Sequence, residues 1–215
     1  MLPVTDEQAK AIQKSPEFGT TIVGETGQLA RYVGRVLGTA PEDAFAVVIG
    51  EPLRYLRARI AYEVDERLTR IFNSRGIKNP QPISPSLALP LLNAAYDESR
   101  PELQELWALL IAAAMDPKKA SQVRRSFIDT LKSFDPLDAL ILKEIYGVPD
   151  AGTLSPNTRD FLASKLQLSR SDIILSATNL NKLGCIAPLN AGMGGEFPQF
   201  IITTYGRALI RACMD

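Results

Sequence analysis

The stretch SRSDIILSATNLNKLGCI, residues 169–186, decides the fold of this 215-residue chain. Ser169 stands three residues before Asp172, which is the spacing of a helix capping box. Five apolar residues then recur near one face of a helix: Ile173, Ile174, Ala177, Leu180 and Leu183. Gly184 follows them, and glycine is the residue type that most often ends a helix. The stretch therefore predicts a short amphipathic helix with a defined start and end.

The residues around this helix predict a compact module with a small β-hairpin. Two amphipathic helices precede it, over 135–146 and 155–166, and a further helix closes the chain. Cys185–Leu189 and Gln199–Thr203 are predicted as strands, and the second alternates inward and outward. The turn between them is rich in glycine: Gly192, Gly194 and Gly195. This order predicts a winged-helix-like domain over 135–215, with the helix that begins at Ser169 in the place of a recognition helix.

A winged helix suggests a nucleic-acid reader, but the charge of this domain argues against that function. Residues 135–215 hold seven Lys and Arg against eight Asp and Glu, a net charge of −1. Binding to a duplex needs several cations at phosphates, and the recognition position offers only Lys182, offset by Asp172. Its polar side chains suit either bases or solvent: Ser171, Ser176, Thr178, Asn179 and Asn181. We expect a packing or protein-interaction domain, with a nucleic-acid-binding transcriptional regulator as the alternative.

The most basic window of the chain is KKASQVRR, residues 118–125. We expect a solvated loop between two helices there, with a phosphate or anionic-lipid contact as the alternative. Together with the helix described above, this window completes the candidate contacts to a nucleic acid or another anion: Lys118, Lys119, Arg124, Arg125, Ser171, Thr178, Asn179 and Lys182.

Composition excludes most enzyme classes. The chain has no histidine, which removes histidine acid–base catalysis, Ser-His-Asp and Cys-His pairs and imidazole metal sites. No glycine-rich segment has the lysine and spacing of a phosphate-binding loop. Cys185 and Cys213 are expected to be buried and reduced. With a formal net charge of zero and no apolar run of membrane-spanning length, we expect a cytoplasmic, non-enzymatic protein without cofactor, metal or small-molecule substrate.

The first half of the chain is predicted to be a helical domain, residues 1–134. Helices are expected over residues 20–37 and 42–72. The first carries small residues at every fourth position, a stripe that suits close helix packing or assembly: Thr26, Ala30, Gly34 and Gly38. The alternative is a helix on the inner membrane surface, with five arginines at the lipid headgroups: Arg31, Arg35, Arg54, Arg57 and Arg59.

A proline-rich connector over 77–90 follows, because four prolines forbid a continuous helix across it: Pro80, Pro82, Pro85 and Pro90. Past the connector, Ser99 and Glu102 have the spacing of a capping box, with Pro101 in the first turn. A wide apolar face from Glu102 to Met115 predicts the central core helix, and Trp107 belongs to that core.

Several segments in this order resemble the abortive infection alpha family of bacterial proteins. They are GQLARYVGRVLG, EPLRYLRAR, LALPLLNAAYDESRPELQELWALLIAAAMDP and SFIDTLKSFDPLDALIL. The most specific parts are Leu89–Leu92, Glu102–Ala108, Met115–Pro117, Ser126–Ile128 and Pro136–Ala139, and the closing Thr-x-x-Gly-Arg turn is similar as well. Members tend to have His-Pro immediately before the Ser-Phe pair, where this chain has Arg124 and Arg125.

The resemblance implies a role in bacterial defence against phage, in which infection triggers arrest or death of the host cell. It implies no catalytic residue. We therefore expect a defence protein that works with a protein partner or as a homo-oligomer. Its winged-helix end would sense or dock, and its N-terminal helices would assemble or associate with the inner membrane.

Overall fold

The structure, a computed structural model, describes residues 54–147, 153–189 and 199–214. These residues form a mainly helical fold, as predicted, and the predicted hairpin is part of one small three-stranded sheet. The helices are α1 (Arg54–Arg75), α2 (Pro85–Asp97), α3 (Pro101–Met115), α4 (Arg125–Lys132), α5 (Pro136–Gly147), α6 (Pro156–Leu166), α7 (Arg170–Lys182) and α8 (Thr204–Met214). The strands are β1 (Thr153–Leu154), β2 (Ile186–Pro188) and β3 (Phe200–Ile202), and Ala120–Gln122 form a 3₁₀ turn.

The chain divides into two compact units, Met1–Ser99 and Arg100–Asp215. The sequence predicts a different boundary, after residue 134, because the winged-helix-like motif begins there. That boundary stays a prediction. The small-residue stripe at Thr26, Ala30, Gly34 and Gly38 lies outside the described residues, as do Arg31 and Arg35 and the three glycines of the predicted hairpin turn. None of the described helices is both long enough and apolar enough to cross a membrane.

In the first unit, α1 and α2 pack through one apolar face each. The buried residues of α1 recur every three to four positions: Ile60, Ala61, Val64, Leu68, Ile71 and Phe72. Arg57, near the start of α1, donates from Nε to Asp97 at the end of α2 over 2.7 Å. Helix α1 ends at Arg75, close to the predicted end of the long helix. Gly76 follows it in a left-handed conformation with φ +64°.

The proline-rich connector is shorter than predicted, because α2 begins at Pro85 rather than after Pro90. Pro85 occupies the first helical position, where a missing N–H costs nothing. Pro90 lies inside the helix and removes one intrahelical bond, to the carbonyl of Ser86. Ser86 is exposed, so water can replace that bond. Residues 85–90 are thus helical, and the extended segment is confined to 77–84.

In the second unit, α3 is the central helix, as predicted, and Trp107 is buried in its core. It packs against α8 and α5. The capping box predicted at Ser99 and Glu102 is wrong: Arg100 is the N-cap, and no side chain caps the helix. Pro101 explains the difference, since the residue before a proline is held extended, as Arg100 is with ψ 119°.

The sheet joins three short antiparallel strands in the order β1-β3-β2. In the hairpin, Ile186 pairs with Ile202 and Pro188 with Phe200. Both predicted strands are therefore present, with Phe200 and Ile202 buried as the alternation predicted. Strand β1 was not predicted, because a two-residue strand carries no periodicity; it pairs Leu154 with Phe200 on the other edge of β3.

Candidate interaction surface

Helix α7 is anchored by a buried carboxylate on α5. Asp138 is only 2% exposed and accepts three hydrogen bonds. Ser176 Oγ donates to Oδ1 over 2.5 Å, Asn179 Nδ2 donates to Oδ2 over 2.7 Å, and the backbone N–H of Asp135 donates to Oδ2 over 2.9 Å. The carboxylate also lies in the first turn of α5, where the helix dipole favours negative charge. These contacts compensate the cost of burying the charge.

This anchor decides which face of α7 is buried. Ile173, Ala177 and Leu180 are buried as predicted, and Ser176, only 4% exposed, completes the stripe. Ile174 was predicted on the same face but is 38% exposed. The hydrogen bond from Ser176 to Asp138 turns the helix so that positions 173, 176, 177 and 180 face inward, which places position 174 at the edge.

The outward face of α7 therefore carries large apolar side chains. Leu175 is 72% exposed, the most exposed large apolar residue among those described, and Ile174 lies beside it. Phe161 on α6 is also exposed. Ser171, Thr178 and Lys182 share the outward side of α7 at helical spacing. A surface with a leucine at its centre and one cation at its end suits contact with another protein better than contact with phosphates.

Three of the four cations on α6 and α7 are paired with carboxylates within the module, and Lys182 is the exception among the described residues. Arg170 binds Asp160 with two nitrogens, Nε to Oδ1 and Nη2 to Oδ2, each over 3.1 Å. Arg159 Nε binds the same carboxylate over 2.9 Å, and Lys165 binds Glu144 over 2.6 Å. The hydrogen bond from Arg159 and the charges of both arginines hold the pKa of Asp160 below its usual value. Asp160 is therefore ionised at neutral pH and offsets the arginines beside it.

The closing Thr-x-x-Gly-Arg turn fixes the start of α8 through hydrogen bonds. Thr203 Oγ1 accepts a hydrogen bond from the Gly206 backbone N–H over 2.9 Å and donates to the Gly184 carbonyl over 2.6 Å. Its own N–H donates to the Cys185 carbonyl over 3.0 Å. A Cβ at Gly206 would lie 2.1 Å from that same carbonyl oxygen, so only glycine fits. The turn thus fastens the start of α8 to Gly184 and Cys185, between α7 and β2.

Tyr205 fastens α8 to α4. Its hydroxyl donates to the carbonyl of Ser126 over 3.0 Å and shares a hydrogen bond of 2.7 Å with Thr130 Oγ1. Its ring meets Phe127 edge to face, with centroids 5.5 Å apart and planes at 67°. The Ser-Phe-Ile segment that supports the family resemblance is therefore a packing element, and sequence reasoning had no signal for its partner, since 79 residues separate Ser126 from Tyr205.

Cys185 and Cys213 are buried free thiols, as expected. Burial, with a smaller contribution from the charge of Asp138, raises the pKa of Cys185 from 9.0 to about 12. Because the raised pKa belongs to the folded state, the thiol stabilises the fold below about pH 9, and this contribution is lost as the pH rises towards 12. At neutral pH the thiol is protonated and unsuited to nucleophilic attack.

The eight residues predicted from sequence as anion or base contacts fall into two places. Lys118, Lys119, Arg124 and Arg125 lie in the loop before α4 and at its start, whereas the other four lie on α7: Ser171, Thr178, Asn179 and Lys182. Of the second group, Asn179 donates to Asp138 and to the Ser133 carbonyl. Thr178 donates to the Ile174 carbonyl over 2.8 Å. Both donors are used within the protein, although Thr178 itself is exposed on the outward side with Ser171 and Lys182.

The described residues contain no group of three or more His, Cys, Asp or Glu that could hold a metal ion. The features that stand out are hydrogen-bonded anchors, an apolar outward face on α7 and a basic loop. The sequence profile described as abortive infection alpha matches residues 57–196, more than half of the chain. The chain belongs to the abortive infection alpha family. Comparison with curated proteins and with solved structures gives no match.

The range matched by the abortive infection alpha profile includes both Asp138 and α7, the helix that it anchors. The matched range begins within α1 and ends after β2, so α8 and its Thr-x-x-Gly-Arg turn lie beyond it. The family description points to a role in abortive infection, the defence in which an infected cell stops supporting the phage. It names no chemistry and no partner.

Proposed function

We propose that this protein acts in abortive infection without being an enzyme, and that residues 136–214 form a winged-helix-like module that docks a protein partner. The observation that carries the proposal is the division of α7 into two faces. Its hydrogen-bonding side chains Ser176 and Asn179 turn inward to Asp138, and Leu175 faces outward. The helix that would read bases in a DNA-binding member of this fold instead presents apolar surface.

The order of elements supports the winged-helix interpretation. Three helices, α5, α6 and α7, are followed by the β2–β3 hairpin, and β1 lies between the first two helices in sequence. In the sheet, β1 pairs with β3 next to the hairpin. Winged-helix domains share this arrangement of three helices and a three-stranded sheet, but a fold does not determine what its surface binds.

The charges of the module argue against the alternative, a nucleic-acid-binding transcriptional regulator. The three cations on the described parts of α6 and of the start of α7 bind carboxylates: Arg159, Lys165 and Arg170. A duplex-binding domain needs such side chains at phosphates. Lys182 alone remains on the outward side of α7. The support for docking to protein is therefore electrostatic as well as apolar.

For the N-terminal helices, which would assemble or associate with the membrane, the proposal rests on the sequence. The small-residue stripe at Thr26, Ala30, Gly34 and Gly38 suits assembly of helices, either with a second copy of the chain or at the inner membrane surface. The described part of α1 gives less support to the membrane version. Arg57 binds Asp97 and Arg59 binds Glu63, so these two charges are offset before they could meet lipid. We propose a cytoplasmic protein, with membrane contact as the alternative.

The docking proposal predicts that Leu175→Asp abolishes protection against phage while the protein stays folded. At 72% exposure the side chain contributes little to packing, so the free energy of unfolding should change by less than about 0.7 kcal/mol. The measurement is phage yield from bacteria that express each variant, together with chemical unfolding of the purified protein.

Leu189→Asp is the matched control, because it introduces the same charge at a half-exposed leucine outside α7. Protection should survive in this variant. Full protection by Leu175→Asp, or equal loss in both variants, would contradict the assignment of docking to α7.

A further inference from the structure

Hydrogen bonds to Asp116 order the backbone of the loop between α3 and α4. Asp116, at the end of α3, is buried, and its Oδ1 accepts the backbone N–H of Lys118 over 2.9 Å. Its carbonyl accepts the N–H groups of Lys119 and Ala120 over 3.0 and 2.8 Å. A 3₁₀ turn over Ala120–Gln122 follows directly. These bonds fix the backbone on which four cations are mounted, so the charges are held in one place.

Those four cations are Lys118, Lys119, Arg124 and Arg125, and none of them forms an ion pair with any described residue. Lys118, Arg124 and Arg125 are exposed, and Lys119 is half-buried. Residues 116–132 hold five cations and two carboxylates, a net charge of +3 in a chain whose formal net charge is zero. One of the two carboxylates, Asp116, is occupied by a backbone N–H. This segment thus carries a local excess of positive charge.

The start of α4 adds to this excess. Arg124 is the N-cap and makes no side-chain capping bond, Arg125 is the first helical residue, and the first turn contains no acidic residue. Cations at a helix N-terminus oppose the helix dipole, which is unfavourable. A bound anion would remove that cost. The arrangement is unfavourable for the isolated protein and favourable for a complex with a polyanion.

We propose that residues 118–126, which we call the basic loop, bind the phosphate backbone of a nucleic acid without reading its sequence. Three 3₁₀ residues and two extended steps separate Lys119 from Arg124, a span of at most about 13 Å. Duplex DNA presents about eight phosphate charges over that length, enough for all four cations. Ser121, Gln122 and Ser126 are exposed between and beside the cations, and such hydroxyl and amide groups are common donors to phosphate.

A membrane surface fits the basic loop less well. Peripheral segments that bind anionic lipid combine cations with large apolar side chains that enter the headgroup region. The residues between the cations are small, polar or half-buried: Ala120, Ser121, Gln122 and Val123. The exposed large apolar side chains of the described chain lie elsewhere, on α1, α5, α6 and α7 and at the end of β2. Charge without apolar insertion favours nucleic acid.

The test measures binding of the full-length protein to two fluorescein-labelled probes of mixed sequence, a 20-base-pair DNA duplex and a 20-nucleotide RNA, by anisotropy between 50 and 200 mM NaCl. The wild-type protein should bind both probes with a Kd of the order of 10⁻⁵ M at about 150 mM NaCl, and the salt slope in the logarithmic plot should be about 4 for the duplex and about 3 for the RNA. The triple variant Lys118→Ala, Arg124→Ala, Arg125→Ala should bind at least about 30-fold more weakly at 50 mM NaCl, with a slope of about 1.

Two variants make the result specific. Lys78→Ala, Lys143→Ala, Arg211→Ala removes the same charge at three other exposed positions and should leave affinity within about twofold. Lys118→Arg, Arg124→Lys, Arg125→Lys keeps the charge and should restore the wild-type slope. The control and charge-keeping variants should unfold as the wild type does, because the exchanged side chains make no ion pair with a described residue. The basic-loop triple alanine variant should be at least as stable as the wild type, because the removed arginines oppose the helix dipole.

Three results would overturn the proposal: no binding at 50 mM NaCl, equal weakening in both triple alanine variants, or binding to phosphatidylserine vesicles with no binding to either probe. The proposal is independent of docking through α7. Leu175→Asp should bind both probes as the wild type does, so loss of phage protection in that variant and loss of nucleic-acid binding in the basic-loop variant report on separate surfaces.

Discussion

The module formed by residues 136–214 and the basic loop use their polar side chains in opposite ways. In the module the polar groups that could face a ligand bind each other. Asp138 accepts hydrogen bonds from Ser176 and Asn179, and Asp160 forms ion pairs with Arg159 and Arg170. In the basic loop the hydrogen bonds are made by backbone groups and Asp116, and the four cations, of which Lys119 is half-buried and the others are exposed, form no ion pair with a described residue.

Under the two proposals above, the element order of a nucleic-acid reader and the charge that suits phosphates lie in separate parts of the chain. The module has the element order, but its polar groups contribute to folding. The basic loop has no recognised motif, but its charge is available. Substitutions in the module should therefore cost stability, whereas substitutions in the loop should cost binding.

The largest expected effect is on stability, at the turn that begins α8. Gly206→Ala would place a methyl group 2.1 Å from the Cys185 carbonyl oxygen, a backbone atom that cannot move without displacing β2. We expect a loss of about 4 kcal/mol or more in the free energy of unfolding, or failure to fold. Urea unfolding followed by circular dichroism measures the loss.

Gly147→Ala, at the end of α5, is the control, because no described atom lies within 4 Å of its added Cβ. It should be neutral or stabilising by up to about 1 kcal/mol. Near-equal stability of the two alanine variants would mean that α8 does not depend on close contact with Cys185, and the module would be less tightly built than the comparison requires.

The local signals of this fold could be predicted from sequence. The capping box at Ser169 and Asp172 forms, with each side chain bonded to the other residue's backbone N–H, and Gly184 ends α7 with φ +70°. Trp107 is buried at the centre of α3. Each of these depends on residues within about one helical turn of each other, where spacing and residue type are enough.

The interior of the candidate site could not be predicted, because its partners are far apart in sequence. Ser176 and Asn179 are 38 and 41 residues from Asp138, and a polar residue on a short helix looks the same whether it faces solvent or a buried carboxylate. For that reason Asn179 stood among the candidate base contacts. By contrast, the four cations of the basic loop lie within eight residues of each other, so the sequence alone shows that they cluster, and their contact with an anion stays a prediction.

A smaller effect should separate the two uses of polar groups on α7. Asn179→Ala removes one donor to Asp138 and leaves the carboxylate with two hydrogen bonds, so we expect a loss of about 1–3 kcal/mol in the free energy of unfolding. Thr178→Ala, the adjacent residue, removes an exposed hydroxyl that binds its own helix and should change stability by less than about 0.5 kcal/mol.

Affinity for the labelled duplex should stay unchanged in both variants. Stability of Asn179→Ala equal to that of the wild type, combined with weaker binding to the duplex, would return Asn179 to the role of a base contact. The contrast between the module and the basic loop would then fail at the helix where it is clearest.

The smallest effect is expected for a variant that tests whether neutralised charge alone keeps the module from binding nucleic acid. Asp160→Asn preserves the shape of the side chain and releases Arg159 and Arg170 from a carboxylate that is ionised at neutral pH. Arg170 and Asp160 are exposed whereas Arg159 is only 14% exposed, so stability should fall only slightly. In the basic-loop triple alanine background, affinity for the duplex should rise between about 3-fold and 10-fold, because the exposed Arg170 becomes available to phosphates. Unchanged affinity would mean that the outward face of α7, with Leu175 at its centre, excludes the duplex by shape, and the distinction between the two regions would then be steric rather than electrostatic.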